Sequence, residues 1–233
     1  MPVSPTPTPL PVSPTPTPLL LHGQASRSDI NAAAKSIADL LHNMNLFMGT
    51  GTDTAGNPIY ELDRPATRIE ALAIIIRLMG LESAANAYEG ANPFTDTPDW
   101  ADRIAAYAYA NGITVGVNDD HTLFNADAPI SYQEFTAFLL RVLGYYEKNG
   151  DFTFDEALNK AIEASLYSSG EIQSIGGQYI YLRADVVIGI ADALMTPLNG
   201  TNIRLIDILA EDGVISRQDV NMFTATVSQI YVK

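Results

Sequence analysis

The chain has 233 residues, of which 47% are hydrophobic, and this proportion is sufficient for a buried core. Its formal net charge of −14 argues against nucleic acid, whose phosphates require a basic surface, and against adsorption to anionic membranes. The absence of cysteine excludes disulfides, thiol nucleophiles and cysteine metal ligands.

The first 22 residues differ in composition from the rest of the chain. Residues 3–10 (VSPTPTPL) recur as residues 12–19, and eight of the 14 prolines lie here. Such a tract favours extended polyproline II or plain disorder over helix and sheet. We therefore predict that residues 1–22 are a linker, and that the chain is a piece of a longer protein with further modules upstream.

Apolar residues at helical spacing predict eight helices in the remainder. They are expected over residues 29–44, 67–79, 97–110, 131–143, 153–168, 184–195, 202–210 and 217–229. The segments between paired helices are rich in Gly, Asn and Asp, and one of them, Tyr179 to Leu182, is a candidate for a short strand. The predicted fold class is mainly α, built from helix–loop–helix units.

Three of these helices are predicted to begin with a capping box, in which Ser or Thr and a Glu three residues later satisfy free N–H groups. The pairs are Thr67 with Glu70, Ser131 with Glu134, and Thr153 with Glu156. Pro98 is predicted at the first position of the third helix and Gly112 just beyond its end. The apolar run of the second helix stops at Arg77, far short of the ~20 residues that cross a bilayer, so we expect no membrane insertion.

One pattern occurs three times along the chain, and residues 94–144 contain it most completely. Pro65 leads to Gly80 with the same spacing as Pro129 to Gly144. Repetition at roughly 50–65 residues indicates one supersecondary unit that cannot bury its apolar face alone. We predict repeats over residues 23–90, 91–150 and 151–200, and a helical segment over 201–233 that completes the module.

The second unit resembles a repeat of the S-layer homology family. The matching residues are Asp96, Trp100, Ala101, Gly112, Ile113, Gly116, Phe124, Arg141, Leu143 and Gly144. The family's Thr-Arg-x-Glu element is altered here to Ser-Tyr-Gln-Glu at 131–134, whereas the first unit has it intact at 67–70. The third unit keeps Arg183 and Asp185 but has a shorter loop. The resemblance covers roughly residues 28–195.

The resemblance implies a pseudo-threefold helical module without catalysis or cofactor. Modules of this family hold exported proteins on the Gram-positive wall by binding a secondary polysaccharide, often one that carries ketal-linked pyruvate. It therefore implies an extracellular location at the cell wall or S-layer, with binding in grooves between repeats. A Pro/Thr linker commonly lies on one side of such modules.

The candidate ligand-binding residues are Arg68, Arg183, Trp100, Asp96, Gly116 and Arg217. A guanidinium group matches a carboxylate with two parallel hydrogen bonds. Arg68 is expected to be exposed at a helix N-terminus, where free N–H groups also favour an anion. Trp100 can stack on a sugar, and Gly116 allows close approach of the backbone. Arg217 is included because residues 216–219 look like a fourth copy of the helix start.

These residues also have structural interpretations. Arg68 can be a solvated first-turn residue in an ion pair, and Trp100, the only tryptophan, can belong to the core. Arg77 and Arg141 lie at helix ends, where cations suit the helix dipole, and are interpreted as structural. Tyr132 replaces an arginine, which predicts that one groove has lost its anion clamp.

Three other functions were open from the residues. An enzyme is not expected, because the histidines have no ligand spacing and no glycine cluster has the pattern of a nucleotide loop. Dockerin-like calcium loops need a spacing that residues 53–63 and 118–127 do not supply, so no metal is assigned, although structural calcium in one acidic loop stays open. A divergent module that binds a protein or spaces domains is the main alternative.

Overall fold

Nine α-helices and one short hairpin form the part of the chain that the structure, a computed structural model, describes: residues 27–169, 172 and 180–231. The helices are α1 (Arg27–Asn43), α2 (Arg68–Leu78), α3 (Glu82–Asn86), α4 (Asp102–Ala110), α5 (Tyr132–Val142), α6 (Ala157–Glu163), α7 (Arg183–Met195), α8 (Leu205–Glu211) and α9 (Arg217–Tyr231). Antiparallel strands β1 (Gly51–Thr52) and β2 (Pro58–Ile59) form the hairpin. The predicted mainly α fold class is confirmed, while the predicted linker over 1–22 lies outside the described residues.

Helices α2, α5 and α7 form the interior. Most residues of α2 and α5 and all 13 of α7 are buried. A helix that is apolar on nearly every side must be covered on every side, which places these three at the centre. Helix α5 contacts both α2 and α7. These are the second helices of the three predicted repeats.

The first helix of each predicted repeat packs on the second helix of another. Helix α4 packs on α2, α6 packs on α5, and α1 packs on α7. The last of these contacts joins the beginning of the described chain to the third repeat and so closes a ring. No helix among the described residues is long and apolar enough to cross a membrane.

The C-terminal segment contacts several parts of this ring. Helix α8 packs on α7, and α9 packs on both α8 and α1. Phe223 on α9 is fully buried. Just before this segment, at the end of the predicted third repeat, the N–H of Asn199 donates to the carbonyl of Leu143 beyond α5 at 2.8 Å. A Cβ added to Gly80, beyond α2, would lie 2.9 Å from a Val214 methyl group, so the segment also touches the first repeat.

Two of the three predicted capping boxes are confirmed. The Thr67–Glu70 pair caps α2, and the Ser131–Glu134 pair caps α5, each through both reciprocal hydrogen bonds. The third prediction is wrong, because the Thr153 hydroxyl is hydrogen-bonded to the Glu156 carboxylate at 3.0 Å instead of capping a backbone N–H. The chain forms a 3-10 turn at Phe154–Glu156 there and enters α6 only at residue 157.

Three other local expectations are also corrected. Pro98 does not begin a helix, since its carbonyl accepts the first bond of a 3-10 turn, Asp99–Ala101, that precedes α4. Helix α6 ends at Glu163, five residues early, where Ser165 takes a left-handed conformation (φ 59). Tyr179 lies outside the described residues, and Leu182 makes only an isolated bridge to Pro65.

Candidate functional site

Arg68 joins the predicted first repeat to the predicted second repeat. It is the first residue of α2 and is 6% exposed. Its Nε donates to the Phe124 carbonyl at 3.0 Å, its Nη1 binds the Glu134 carboxylate, and its guanidinium lies 5.0 Å from the centre of the Phe124 ring. The other oxygen of Glu134 accepts the Ser131 N–H at 2.8 Å and so closes the cap of α5. The prediction that Arg68 is exposed is therefore wrong.

Arg183 joins the predicted third repeat to the predicted first repeat in the same way. It is the first residue of α7 and is 3% exposed. Its Nε donates to the Tyr60 carbonyl at 2.7 Å, and its Nη2 donates to the Met48 carbonyl at 3.2 Å. Its Nη1 lies 3.1 Å from Glu70, and its guanidinium lies 4.9 Å from the centre of the Phe47 ring. The glutamate of a capping box again receives an arginine from another repeat.

We call the connections made by Arg68 and Arg183 joints, and backbone hydrogen bonds complete both of them. The first two N–H groups of α2 and of α7 donate to loop carbonyls of the neighbouring repeat at distances of 2.9 to 3.1 Å. The donor–acceptor pairs are Arg68–Ala128, Ile69–Ala126, Arg183–Arg64 and Ala184–Leu62. Because these donors are used inside the protein, the helix N-terminus at Arg68 does not present them to an anion as the sequence suggested.

Glu70 is the most heavily bonded carboxylate at these joints. Arg64 binds it with two hydrogen bonds, Nη2 to Oε1 at 2.6 Å and Nη1 to Oε2 at 3.0 Å, and the Thr67 N–H donates to Oε2 at 2.9 Å. Burial raises the pKa of Glu70, but the bonds from Arg64 and Thr67 and the charge of Arg183 outweigh it and lower that pKa to about 2. Burial lowers the pKa of Arg183. Glu70 is therefore ionised across the ordinary pH range.

Groove A lies beside Arg183 and has a volume of about 530 Å³. It is lined by Met48, Gly49, Thr50, Glu61, Arg64, Glu70, Ala73, Ile74, Arg77, Trp100 and Arg183. Trp100 belongs to the 3-10 turn before α4 and is 57% exposed, so it is not a core residue. All three predicted repeats contribute to this groove.

Groove B lies beside Arg68 and has a volume of about 380 Å³. It is lined by Arg68, Thr114, Val115, Gly116, Val117, Glu134, Ala137, Phe138, Arg141, Glu147 and Phe154. Phe154, in the 3-10 turn before α6, is 45% exposed and occupies the place that Trp100 has in groove A. The two grooves thus share one design, with a joint arginine, a capping glutamate, a glycine-containing loop and an exposed aromatic ring.

Each groove also contains an arginine that the sequence analysis had interpreted as structural, Arg77 in groove A and Arg141 in groove B. Arg77 and Arg141 are each seven residues beyond the capping glutamate, in the last turn of α2 and α5. Arg141 binds Glu147 through both Nε and Nη2. Arg77 binds Glu82 through Nε at 2.7 Å, while its Nη1 and Nη2 make no hydrogen bond to any residue that the structure describes. Their identical position in two predicted repeats was the sequence signal that could have identified both as groove residues.

The structure brings together four of the six predicted residues in two pairs. Arg183 and Trp100 line groove A, and Arg68 and Gly116 line groove B. The requirement for glycine at 116 comes from its own loop, because its φ is +81 and a Cβ would lie 2.6 Å from the Leu123 carbonyl oxygen.

Asp96 and Arg217 line neither groove. The two carboxylate oxygens of Asp96 accept the N–H groups of Phe124 and Asn125 at 2.8 and 2.6 Å. Asp96 therefore holds the loop whose carbonyl binds the joint arginine of groove B. Arg217 begins α9 and forms an ion pair with Asp207 at 3.2 Å in the C-terminal segment.

A third joint lies where the predicted second and third repeats meet. Here Tyr132 is the first residue of α5, the position that arginine holds at the start of α2 and α7. It is 6% exposed, and its ring centre lies 5.3 Å from those of both Tyr167 and Tyr181. Asp185 holds the place of the capping glutamate and binds Arg27 Nη1 at 2.8 Å. Aromatic packing and an arginine from α1 thus occupy this joint. Over the described ranges, no group of three or more His, Cys, Asp or Glu is placed to hold a metal ion.

The chain is similar in sequence to two bacterial surface proteins. It is 27% identical over 150 residues to the "Cell surface protein" of Thermoanaerobacter kivui, a match that covers 63% of this chain and 19% of that protein. It is 28% identical over 116 residues to the "Middle cell wall protein" of Brevibacillus brevis, which covers 49% and 11% respectively. The matches thus span less than a fifth of either relative. No family model matches the chain.

Proposed function

We propose that the chain is a non-catalytic anchoring module of S-layer-homology type that binds an acidic cell-wall polysaccharide in the grooves between its repeats. The observation that carries this proposal is that grooves A and B share one design, in which arginines lie beside an exposed aromatic ring. The names of the two relatives, a cell surface protein and a cell wall protein, support a location at the wall of a Gram-positive-type bacterium.

The chemistry of an acidic sugar fits these grooves. The face of an exposed aromatic ring such as Trp100 offers a flat apolar surface for the ring of a sugar, and a guanidinium pairs with a carboxylate through parallel hydrogen bonds. The net charge of −14 repels anions at long range, so local arginines must supply the attraction. A volume of about 530 Å³ lies within the usual range of small-ligand sites.

The proposed organisation follows from the repeats. Residues 23–90, 91–150 and 151–200 are the three repeats, the last of them degenerate, and residues 201–233 complete the module. Residues 1–22 are the linker to upstream domains of a larger surface protein. Ketal-linked pyruvate is the acidic group that the resemblance to the S-layer homology family favours.

Sedimentation with purified wall sacculi tests this function. The chain is expected to pellet with intact sacculi and to stay in solution after the polysaccharide has been removed with acid. Trp100→Ala is expected to weaken pelleting about 2- to 10-fold without unfolding the chain, because the side chain is largely exposed. Met222→Ala, an exposed apolar site on α9, is the matched control and should pellet normally. Pelleting that survives removal of the polysaccharide would contradict glycan binding.

A protein partner is the second candidate, and the rim of groove B favours it. Val115, Val117 and Phe154, which line groove B, are 58, 50 and 45% exposed. Exposed apolar groups that cluster together are typical of surfaces that bind proteins. Pelleting that survives acid treatment but is lost after the sacculi have been digested with protease would support this candidate instead.

A further inference from the structure

Groove A contains one arginine whose hydrogen-bonding capacity is largely unused. Arginine has five N–H donors, one on Nε and two on each Nη. Arg183 engages all three of its nitrogens, with Tyr60, Met48 and Glu70. Arg77 engages only Nε, so four N–H donors on Nη1 and Nη2 have no partner among the described residues. Arg77 is therefore the cation that is equipped to bind a ligand in groove A.

The corresponding arginine of groove B is already occupied by a carboxylate. Glu147 binds Nε and Nη2 of Arg141 with its two oxygens, and Nη1 is 3.5 Å from the Ile113 carbonyl. An anion entering groove B would have to displace an intramolecular carboxylate in the same bidentate geometry. Arg68, the other arginine there, has a side chain that is only 8% exposed and is paired with Glu134.

The charged residues that line the two grooves also favour anion binding in groove A over groove B. Groove A is lined by three arginines and two glutamates, whereas groove B is lined by two arginines and two glutamates. The glutamate that pairs with Arg77, Glu82, is 40% exposed and does not line groove A. Groove B also has more apolar lining, since Val115, Val117 and Phe154 stand at its mouth.

We propose that the two grooves are not equivalent. Groove A is the anion site, where Nη1 and Nη2 of Arg77 bind the carboxylate of an acidic sugar while Trp100 packs on its ring. Glu147 closes groove B to anions by occupying Arg141. This inference rests on the proposed function. It adds to that function a binding residue, Arg77, a stoichiometry of one anion per chain, and a preference for acidic sugars.

Calorimetry with a matched pair of small probes tests the inference. The acid probe is the 4,6-pyruvate ketal of an N-acetylhexosamine methyl glycoside, and the neutral probe is its methyl ester. The wild-type chain is expected to bind one acid probe and to bind the ester at least 10-fold more weakly. Arg77→Gln is expected to bind the acid at least 10-fold more weakly, down to the level of the ester. Arg141→Gln is the matched control and should bind the acid within twofold of wild type.

Two glutamate variants supply a second test in the opposite direction. Glu147→Gln removes the charge that occupies Arg141 and is expected to raise the number of acid probes bound from one to two. Glu82→Gln, its counterpart beside groove A, should leave the number at one. Thermal melting of each variant checks that the chain is folded.

Several results would overturn the inference. They are wild-type affinity for the acid in Arg77→Gln, two acid sites in the wild-type chain, an unchanged stoichiometry in Glu147→Gln, or no binding of the acid by the wild-type chain. In each of these cases the proposed function is judged separately, because sedimentation with sacculi before and after acid treatment does not depend on Arg77 or on this probe.

Discussion

The position of a guanidinium group decides whether its charge serves stability or binding. Arg68 and Arg183 are 6% and 3% exposed, and each connects the start of one helix to a carboxylate and a loop carbonyl of another repeat. Arg77 lies in the last turn of α2, at the opposite end of that helix from Arg68. Its Nη groups have no partner among the described residues. Arg68 and Arg183 are therefore chiefly residues that hold neighbouring predicted repeats together.

Replacing Arg68 by glutamine is expected to lower the free energy of unfolding by about 2–3 kcal/mol, because it leaves the Glu134 carboxylate and the Phe124 carbonyl without their partner. Urea denaturation measures this loss. Arg217→Gln, where the arginine side chain is 55% exposed, is the control and should cost about 0.5 kcal/mol or less. A loss at Arg68 as small as that of the control would contradict a structural role for Arg68.

The ionisation of Glu70 predicts a particular dependence of stability on pH. Its pKa is about 2 in the folded chain and 4.5 ordinarily, so its contribution is complete above pH 4.5 and is lost as the pH falls towards 2. Glu70→Gln should therefore be less stable than wild type by about 2 kcal/mol at pH 7, after discounting for partial solvent exposure, and by less than half of that at pH 3.

Urea denaturation at pH 7 and pH 3 measures both differences for Glu70→Gln. Glu163→Gln changes a carboxylate that is 69% exposed and should match wild type at both pH values. A difference between wild type and Glu70→Gln that stays constant from pH 7 to pH 3 would show that the Glu70 charge contributes nothing to folding.

Helix starts give a prediction at the scale of one element. Thr67→Ala and Ser131→Ala each remove the side chain that caps α2 or α5, and each is expected to cost about 1 kcal/mol. Thr153→Ala is a matched control, because the Thr153 hydroxyl bonds only to the Glu156 side chain and caps no N–H. Thermal denaturation should rank both cap variants below this control, and an equal loss in all three would contradict the difference between the helix starts.

Local chemistry was sufficient to predict most elements. Apolar periodicity gave eight of the nine helices, with ends that were wrong by up to five residues at α4 and α6, and it missed the short helix α3. Reciprocal capping pairs fixed the starts of α2 and α5. An error occurred at the end of α6, where Ser165, a residue that does not signal a helix end as glycine does, takes the left-handed conformation. The burial of Arg68 was not predictable from its own segment, since its partners lie 56 and 66 residues away.

The candidate site was only partly accessible from sequence for the same reason. Trp100 and Arg183 could be proposed, but their meeting in one groove depends on how the repeats close into a ring. Arg77 was discounted as a cation at a helix end, because the sequence does not show that Glu82 engages only its Nε. Asp96 was proposed as a binding residue, whereas its two oxygens hold the loop at Phe124.

Closure of the ring is the property of the whole molecule on which both grooves depend. The contact of α1 with α7 joins the predicted first repeat to the predicted third, and α9 packs on α1. Groove A takes residues from all three predicted repeats, so it exists only while this closure is maintained. The C-terminal segment is therefore part of the folded unit and not an appendage.

Truncation of Phe223 tests this view of α9. Phe223 is fully buried in the core, and Phe223→Ala is expected to cost about 3–5 kcal/mol of the free energy of unfolding in a single cooperative transition. Its sequence neighbour Met222 is 43% exposed, and Met222→Ala should cost about 0.5 kcal/mol or less. Denaturant unfolding distinguishes these results, and similar small losses in both variants would contradict an integral α9.

A crystal structure of the chain soaked with the pyruvylated amino-sugar glycoside is the most direct test of acidic-sugar binding in groove A. The sugar is predicted to lie in groove A, with its carboxylate within hydrogen-bond distance of Arg77 Nη1 and Nη2 and its ring against Trp100, while Arg68 and Arg183 keep their joints. A sugar bound away from groove A, or with its carboxylate on Arg141 and not on Arg77, would contradict it.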